Sequence, residues 1–409
     1  MPTSADTRPP CIVLGLETQI GLAIVRELGR AGVRVIGIAQ EVDAIGLASR
    51  YITHGVVVTE PRSPQLLKTI RALGDEWGAC CLIAVSEANL VWLATHHGEF
   101  GQVHPITPAV AAMEIVLDKQ RTLQIAKTVG ISIPETAEPA SLTEIHSLAQ
   151  TFSFPAVLKW KDPAAIAEQL DAAGLEMLKA EYVYSARELL IVGQRYIPVG
   201  QWPLVQSYCA GYGLGQFFYM SKGEAVRRFQ HKRVAEWPPE GGFSSVCDSV
   251  PLTQHEELQQ QSIDLLRAVG WEGVAMVEYR MNPTTGKAVL MEINGRYWGS
   301  FPLSVECGAG FALIAYYLHS NLGLPQLPSL RSGVRSRMVS TEIKRLGRIL
   351  FHPGLIADQS FKIQKLGELT RFFLDFFSPK VTYYVWSLAD PRPFIADILN
   401  FARKLILRF

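Results

Sequence analysis

The chain has 409 residues, of which 48% are hydrophobic and 19% are charged, and its formal net charge is +1. This length is enough for two or three domains, and the composition excludes a disordered chain. The near-neutral charge gives no indication of a nucleic-acid-binding protein.

Targeting and redox features point to a reducing, cytoplasmic location. No apolar run reaches the length of a membrane-spanning helix, and the polar, proline-rich start of the chain lacks the apolar segment of a secretory signal. Cys80 and Cys81 lie in the apolar run ACCLIAV, so we expect these two to be reduced core residues, and the cysteines show no metal-ligand spacing. The cysteines are Cys11, Cys80, Cys81, Cys209, Cys247 and Cys307.

Strand-like and helix-like segments alternate through the first part of the chain. The runs CIVLGL, RVIGIA, VVV and CLIAV are typical of strands, and helical patterns separate them, which predicts a Rossmann-like domain over residues 1–105. The turn after the first strand holds Gly15 and Gly21 without a full G-x-G-x-x-G. No suitably placed acidic residue follows the second strand as a clear ribose ligand, and Glu41 is the only near candidate. A nicotinamide-dependent dehydrogenase is therefore disfavoured.

Two lysines in the following segment are candidates to hold phosphate oxygens. Lys119 lies at the start of the helical segment LDKQRTLQIAKTVG, and Lys159 lies in the apolar strand FPAVLKW. A lysine on a strand that faces a cleft is a suitable point charge for phosphate. Lys161 would share a strand face with Lys159, so the pattern does not choose between them, and a solvated surface charge is the alternative for each lysine.

A basic cluster and a glycine pair follow in the strand-rich region from residue 198. RRFQHKRVAEWPPEGGFSS contains His231, Lys232 and Arg233, and Gly241 and Gly242 permit a tight loop. This segment could fold over phosphates. A solvated strand face is the alternative.

The most informative segment is VAMVEYRMNPTTGKAVLMEINGRYWGS, residues 274–300. It predicts a hairpin with Glu278 on one strand and Glu292 and Asn294 on the next. Because alternate residues of a strand share a face, the three side chains can converge. Three oxygen ligands with Arg296 just beyond suit a hard cation that holds phosphate oxygens, whereas a surface hairpin with solvated charges is the alternative.

These motifs resemble the ATP-grasp superfamily, and within it the predicted ATP-dependent carboxylate–amine ligases of the carbamoyl-phosphate-synthase-like group. The resemblance covers about residues 11–325. It implies an α/β chain with a Rossmann-like domain (1–105) and a two-lobed ATP-grasp α+β domain (106–325), divided into a small lobe (106–197) and a large lobe (198–325). A helical C-terminal extension (326–409) follows.

The resemblance also implies a reaction and a set of ligands. ATP with Mg²⁺, or Mn²⁺ in its place, would phosphorylate a small-molecule carboxylate, and an amine or similar nucleophile would attack the acyl-phosphate. Arg296 would stabilise the reacting acyl group. The metal would be held by Glu278, Glu292 and Asn294, the triphosphate by Lys119, Lys159, His231 and Arg233, and the adenine at a hinge by Gln206, Tyr208 and Cys209.

Two departures from the family pattern stand out. Relatives carry an acidic residue near the hinge, where this chain has Gln206 and later Tyr212, so the ribose ligand is left unassigned. The glycine-rich phosphate loop that commonly follows the strand lysine is replaced by KDPAAIAEQLDAAG, whose single glycine is Gly174.

The C-terminal segment 394–409 has apolar residues on one helical face and basic residues beside it. Such a helix can lie on a membrane surface, and docking on its own chain or in a homodimer is the alternative.

Two other kinds of protein therefore remain possible beside the ligase. One is a nucleotide-binding protein without turnover, and the other is an interaction protein of the membrane periphery.

Overall fold

The computed structural model describes residues 8–161, 163–178 and 180–406, and within these residues the strands form three sheets. The first sheet has five parallel strands in the order β3–β2–β1–β4–β5, with helices in the connections. Its elements are β1 (Cys11–Leu14), α1 (Gln19–Arg30), β2 (Val35–Ala39), β3 (Ile52–Val57), α2 (Pro64–Trp77), β4 (Cys80–Ala84), α3 (Glu87–Thr95) and β5 (Val103–Pro105). The central strands are wholly buried because helices and neighbouring parts of the chain cover both faces of the sheet.

The second sheet is antiparallel, in the order β6–β9–β7–β8. In chain order, its strands and the helices that precede and connect them are α4 (Val110–Leu117), α5 (Lys119–Thr128), β6 (Thr136–Ala137), α6 (Leu142–Thr151), β7 (Ala156–Lys159), α7 (Pro163–Ala172), β8 (Glu181–Val183), α8 (Ala186–Arg195) and β9 (Leu204–Ser207). Strand β9 belongs to this sheet although the sequence predicts a lobe boundary at residue 197. Helix α7 occupies the segment in which the family pattern has a glycine-rich loop.

The third sheet has seven strands in the order β14–β13–β10–β11–β12–β15–β16. Its elements are β10 (Tyr212–Ser221), β11 (Glu224–Trp237), β12 (Phe243–Ser249), α9 (Glu256–Val269), β13 (Gly273–Met281), β14 (Ala288–Asn294), α10 (Phe301–Glu306), α11 (Phe311–His319), β15 (Arg335–Arg337) and β16 (Val381–Tyr383). The last two strands come from the extension that the sequence predicts as helical. They are short, and they depend on pairing with distant segments, since β15 pairs with β12 and β16 pairs with β15. The local sequence pattern therefore gives little sign of them.

The remainder of the extension is helical, as expected. It contains α12 (Val339–Phe351), a 3₁₀ turn (Pro353–Leu355), α13 (Lys365–Leu374), a second 3₁₀ turn (Asp375–Phe377) and α14 (Arg392–Ile406). The last part of the predicted tail helix, residues 407–409, lies outside the described residues. The domain boundaries at residues 105 and 325 stay predictions.

The two faces of β10 belong to different hydrophobic cores, and this arrangement positions the candidate site. Leu214 and Phe218 pack in one core, whereas Phe217 and Tyr219 pack in the other. Both cores also contain residues of the first sheet, so side chains of the first and third sheets share them. The face of β10 that carries Phe217 has glycines at positions 215 and 213. The polar side chains of the candidate site lie next to these glycines.

The cysteine prediction agrees with the structure. All six thiols are free, and Cys80 and Cys81 are buried in β4. Within the described ranges, no helix combines the length and apolarity needed to cross a bilayer.

Candidate active site

The hairpin of β13 and β14 brings two carboxylates and an amide to one face, as its alternating pattern predicts. Glu278 and Glu292 are directly paired across the strands, and Asn294 pairs with Met276 on the same face. The Asn294 amide donates a hydrogen bond to Glu292 Oε1 at 3.0 Å. This bond leaves the second carboxylate oxygen of Glu292 and the amide oxygen of Asn294 for other partners.

Each carboxylate has a different cation beside it. Arg233 donates a hydrogen bond to Glu278, whereas Lys119 Nζ lies 3.4 Å from Glu292 Oε2. Burial raises the pKa of Glu278 and outweighs the opposing effect of Arg233. At Glu292, burial acts in the same direction, but Lys119 and Asn294 outweigh it and hold the pKa below its usual value. The Glu278 side chain is only 14% exposed and the Glu292 side chain 34%, so Glu292 is the carboxylate that solvent reaches more readily.

Arg233 reaches Glu278 because β10, the strand between them, carries glycines at the crossing. A Cβ atom at Gly213 would lie 2.6 Å from Arg233 Cδ. The guanidinium also binds Glu236 at 2.9 Å, and Arg280 binds the same carboxylate at 3.2 Å. The two carboxylates outweigh the effect of burial and raise the pKa of Arg233, so its positive charge is permanent.

A second pair of cations faces the carboxylates from the second sheet and α5. Lys159, the last residue of β7, donates to Gln206 Oε1 at 3.5 Å. Burial lowers the pKa of the Lys159 ammonium, and the positive charge of nearby Lys119 lowers it further. The two ammonium groups repel each other, so an anion between them would be stabilised. Lys161, by contrast, pairs with Glu138 at 3.0 Å on the exposed surface.

The local sequence explains how Lys119 comes to face the cleft. Asp118 caps α5 by accepting a hydrogen bond from the Arg121 N–H at 3.0 Å, which makes Lys119 the first helical residue. Helix α5 packs on β14, the strand that carries Glu292. The cap therefore fixes where the lysine enters the site.

The predicted hinge is held by a residue that sequence reasoning did not identify. The Tyr208 hydroxyl donates to Asp358 Oδ2 at 2.9 Å, and the Tyr184 hydroxyl donates to Asp358 Oδ1 at 2.8 Å. Asp358 is only 4% exposed and lies in the extension, between α12 and α13. The Tyr208 hydroxyl is thus already bonded within the protein.

The other two hinge residues lie at the same edge of the second sheet. Gln206 donates to Thr136 Oγ1 at 3.1 Å while it accepts from Lys159. The thiol of Cys209 lies 3.6 Å from the carbonyl oxygen of Ser207, and burial raises the pKa of that thiol. The structure therefore brings Gln206 next to a candidate phosphate lysine, whereas Cys209 makes only a local contact of this kind.

His231 does not fit its expected role as a phosphate-binding cation. Its side chain is 1% exposed, its Nδ1 lies 3.1 Å from Ser300 Oγ, and its ring meets Phe217 edge-on at 4.8 Å. Burial lowers its pKa far below the usual range, and Arg233 lowers it further, so the imidazole is neutral at pH 7. The sequence could not indicate this burial because the covering residues come from distant segments.

Arg296 lies at the end of the hairpin and faces the first domain. Its Nη2 donates to Asn294 Oδ1 at 3.4 Å, and its Nε lies 3.7 Å from Glu87 Oε2. Glu87 is the first residue of α3 and was not predicted as a site residue. Trp298, two residues further along the chain than Arg296, is 2% exposed and stacks on Phe217 at 4.0 Å.

A small cavity lies beside part of this site. It has a volume of about 60 Å³ and is lined by Glu87, Lys119, Glu292 and Asn294, together with Val116, Leu117, Thr122 and Ile293. Glu292 of the hairpin and Lys119 of α5 therefore open onto the same space as Glu87 of the first domain. This geometry allows a small substrate to approach Glu292 from the side of the first sheet.

The donor set fits magnesium. Among the residues that the structure describes, no group of three or more His, Cys, Asp or Glu side chains is arranged to hold a metal ion. The hairpin instead offers two carboxylates and one amide oxygen, and Mg²⁺ commonly takes one or two carboxylates with waters and substrate phosphates as its other ligands. A divalent cation would also compensate the buried charge of Glu278, whose pKa burial raises.

Comparisons with known proteins agree with this architecture. Residues 247–326 match the family model described as carbamoyl-phosphate synthase L chain, ATP binding domain. No curated protein sequence matches the chain.

Several solved structures are similar over most of the chain. Biotin carboxylase from Campylobacter jejuni, in a β,γ-ATP complex, has a TM-score of 0.60 and 16% identity, and the match covers 80% of this chain and 74% of that one. The biotin carboxylase domain dimer of 2-oxoglutarate carboxylase from Hydrogenobacter thermophilus, with MgADP, ADP and bicarbonate, has a TM-score of 0.60, 13% identity and the same coverage, 80% and 74%. An L-amino acid ligase from Bacillus licheniformis has a TM-score of 0.53 and 15% identity, with coverage of 78% and 76%. At these identities the comparison establishes a shared fold.

Proposed function

From the ATP-grasp fold that this chain shares with those enzymes, we propose that it is an ADP-forming carboxylate–amine ligase. The observation that carries the proposal is that Lys119, 3.4 Å from Glu292, and Lys159 both lie near the hairpin carboxylates Glu278 and Glu292. A site of this kind, with two ammonium groups opposite two carboxylates, suits a polyphosphate with a divalent cation between them. The cavity beside Glu87 opens onto Lys119 and Glu292.

The reaction would proceed in two displacements. An oxygen of the substrate carboxylate attacks the γ-phosphorus of ATP, and ADP leaves. The amine then attacks the acyl carbon, the carbon–oxygen bond to the phosphate breaks, and the amine loses a proton. The products are an amide, ADP and phosphate.

The residues of the cleft would supply positioning and charge. Glu278, Glu292 and Asn294 would hold Mg²⁺, which when bound neutralises charge on the phosphate oxygens. Lys119 and Lys159 would bind the triphosphate from the opposite side. Because the Arg233 guanidinium is shared between Glu278 and Glu236, we propose that it orients the metal carboxylate rather than binding phosphate alone.

Arg296 is the group best placed to act on the acyl-phosphate. It follows Asn294 in the chain and faces the first domain at Glu87, so it lies between the metal ligands and the side from which a substrate can enter. A planar guanidinium can donate two parallel hydrogen bonds to a carboxylate or phosphate. We therefore assign Arg296 to the carboxylate substrate and to the charge that develops as the acyl-phosphate forms.

Lys159→Ala is expected to weaken nucleotide binding without unfolding the protein. Mg-ATP should raise the melting temperature of the wild type, because a ligand that binds only the folded state stabilises it by mass action. The increase should be smaller in the variant, since one of the two phosphate cations is gone. Lys161→Ala is the matched control because its partner is Glu138 on the surface. A Mg-ATP shift in Lys159→Ala as large as in the wild type would contradict the role of this lysine.

Turnover separates the ligase from a protein that only binds nucleotide. ADP production should be measured with Mg-ATP and a panel of small carboxylates, each with and without a panel of amines. The ligase requires ADP production that depends on one of the acids. A chain that binds Mg-ATP but forms no ADP with any acid or acid–amine pair would support the nucleotide-binding protein instead.

Three finer expectations belong to the same proposal. Magnesium is the metal we propose, and Mn²⁺ is expected to replace it because both are hard cations that prefer oxygen ligands. Assembly as a homodimer has support only in a structural neighbour described as a domain dimer. The cytoplasmic location is consistent with the six free thiols, since such thiols persist in reducing compartments.

Peripheral membrane contact through residues 394–409 is a further proposal. In the described part of this segment, Ile395, Ile398 and Leu399 are each at least half exposed. They stand at helical spacing on one face of α14. This exposed apolar face is the observation that supports the contact.

A further inference from the structure

The extension differs in charge from the rest of the chain. Residues 331–409 contain fourteen lysines and arginines and six aspartates and glutamates, a net charge of +8 in a chain whose total is +1. The remaining residues are therefore net negative. Such an asymmetry indicates a segment with a partner of opposite charge.

The acidic residues of the extension point inward, so its surface is more basic than its composition. Glu342 pairs with Arg337, Glu368 with Arg345, and Asp375 with Arg335. Asp390 pairs with Arg26 of the first domain, Asp358 binds two tyrosines, and Asp397 is half-buried. None of the six is exposed, whereas the exposed cations are Arg331, Lys344, Lys362, Lys365, Lys380, Arg392 and Arg403 among the described side chains of this segment.

Helix α13 presents an apolar stripe to solvent. Leu366 is 77% exposed and Phe373 is 55% exposed, and Phe377, in the 3₁₀ turn that prolongs the helix, is 84% exposed. Their spacings of seven and four residues place them on one side of the helix. The opposite side buries Phe372 beside Arg337. Aromatic and aliphatic side chains of this size are rarely left in water without a partner.

The neighbouring helices present similar stripes. In α12, Ile343 and Phe351 are 47% and 75% exposed, and in α14 the exposed residues are Ile395, Ile398 and Leu399. The helices lie side by side, because Arg345 of α12 binds Glu368 of α13, and Lys344 of α12 lies 5.8 Å from the ring of Phe401 in α14. The unpartnered stripes therefore belong to adjacent helices that share the basic surface.

We propose that α12, α13 and α14 form a docking surface for an anionic lipid membrane. Exposed leucine, isoleucine and phenylalanine side chains can enter the boundary between headgroups and acyl chains, and lysines and arginines beside them bind anionic headgroups. Among the described side chains of these three helices, no carboxylate is exposed to repel those headgroups. A second copy of the chain fits less well, because a two-fold interface would place this basic surface against itself.

Vesicle sedimentation of the full chain tests the proposal. The protein should bind phosphatidylcholine vesicles that contain 30% phosphatidylserine, should bind pure phosphatidylcholine vesicles much less, and should be released as salt rises. Leu366→Gln/Phe377→Gln removes two strongly exposed side chains and should weaken binding at least about tenfold. Lys344→Gln/Arg392→Gln, which removes exposed cations of α12 and α14, should weaken it by about fivefold for each cation removed.

Matched controls use exposed residues elsewhere. Ile191→Gln/Leu324→Gln and Lys68→Gln/Lys127→Gln remove comparable apolar groups and cations outside the surface and should bind vesicles as the wild type does. Melting temperatures confirm that each variant is folded. Failure of the wild type to bind the anionic vesicles, or equal binding by the Leu366/Phe377 variant and its control, overturns the proposal.

Light scattering gives a further test. If the wild type is a dimer that does not bind vesicles, and Leu366→Gln/Phe377→Gln is a monomer, the surface is an interface between copies of the chain and the membrane proposal is wrong. If the Leu366/Phe377 variant has the oligomeric state of the wild type and loses only vesicle binding, the membrane proposal is supported. None of these outcomes depends on whether the chain is a ligase.

Discussion

Glu292→Ala is expected to abolish ADP production while the protein remains folded. Its carboxylate is the more open of the two in the hairpin, and Lys119 and Asn294 keep its pKa low, so it is ionised and ready to bind a cation. Loss of a metal ligand removes part of the charge neutralisation on the phosphates, worth several kcal/mol, or roughly a thousandfold in rate. The change should cost little stability because Lys119, the cation left behind, is about half exposed.

The matched control for Glu292→Ala is Glu138→Ala. Glu138 also pairs with a lysine, Lys161, and also forms an exposed ion pair. It lies outside the proposed cleft, so ADP production should stay at the wild-type rate. Rates at saturating Mg-ATP and melting temperatures should be measured for both variants. If Glu292→Ala makes ADP as fast as the control, the hairpin is not the metal site.

Arg296→Lys is expected to keep ATP binding and lose rate. Lysine retains the positive charge but lacks the planar fork that can donate two parallel hydrogen bonds. Loss of a donor that stabilises developing negative charge typically costs on the order of a hundredfold in rate. ADP production at saturating ATP and acid, with ATP affinity measured by calorimetry, separates the two effects.

Arg30→Lys is the control for Arg296→Lys. Arg30 pairs with Glu306 at 3.2 Å, much as Arg296 faces Glu87, but it lies on the surface of α1. The Arg30→Lys variant should produce ADP at the wild-type rate and bind ATP with the wild-type affinity. If rate and ATP affinity fall together in Arg296→Lys, the residue is a nucleotide ligand. If neither falls, Arg296 is structural and the substrate site must be sought in the first domain, nearer Gly15.

The hairpin could be predicted from the sequence because its information is local. The two-residue period of a strand puts Glu292 and Asn294 on one face, and a short turn brings Glu278 opposite Glu292. The parallel strands of the first sheet could be predicted for a similar reason, since buried strands appear as continuous apolar runs. The pattern left Lys159 and Lys161 equivalent, and only the partners Gln206 and Glu138 distinguish them.

The unpredicted site features depend on contacts between distant segments. Asp358 accepts a hydrogen bond from Tyr208, which lies 150 positions away in the sequence. No sequence motif identifies an aspartate that accepts hydrogen bonds from two tyrosines. The pairing of Glu87 with Arg296 likewise depends on how the first domain meets the third sheet. His231 has the appearance of a cation in a basic run, and only the aromatic packing around it makes the imidazole neutral.

Oxygen transfer from substrate to phosphate is the most direct test of the proposed activation. The panel acid that supports ADP production should be supplied with ¹⁸O in its carboxylate, together with Mg-ATP and the amine. Because the acid oxygen that attacks the γ-phosphorus stays on the phosphate when the amine displaces it, mass spectrometry should find one ¹⁸O atom in the released phosphate. Phosphate without label, formed together with ADP in an acid-dependent reaction, would contradict an acyl-phosphate and with it the proposed function.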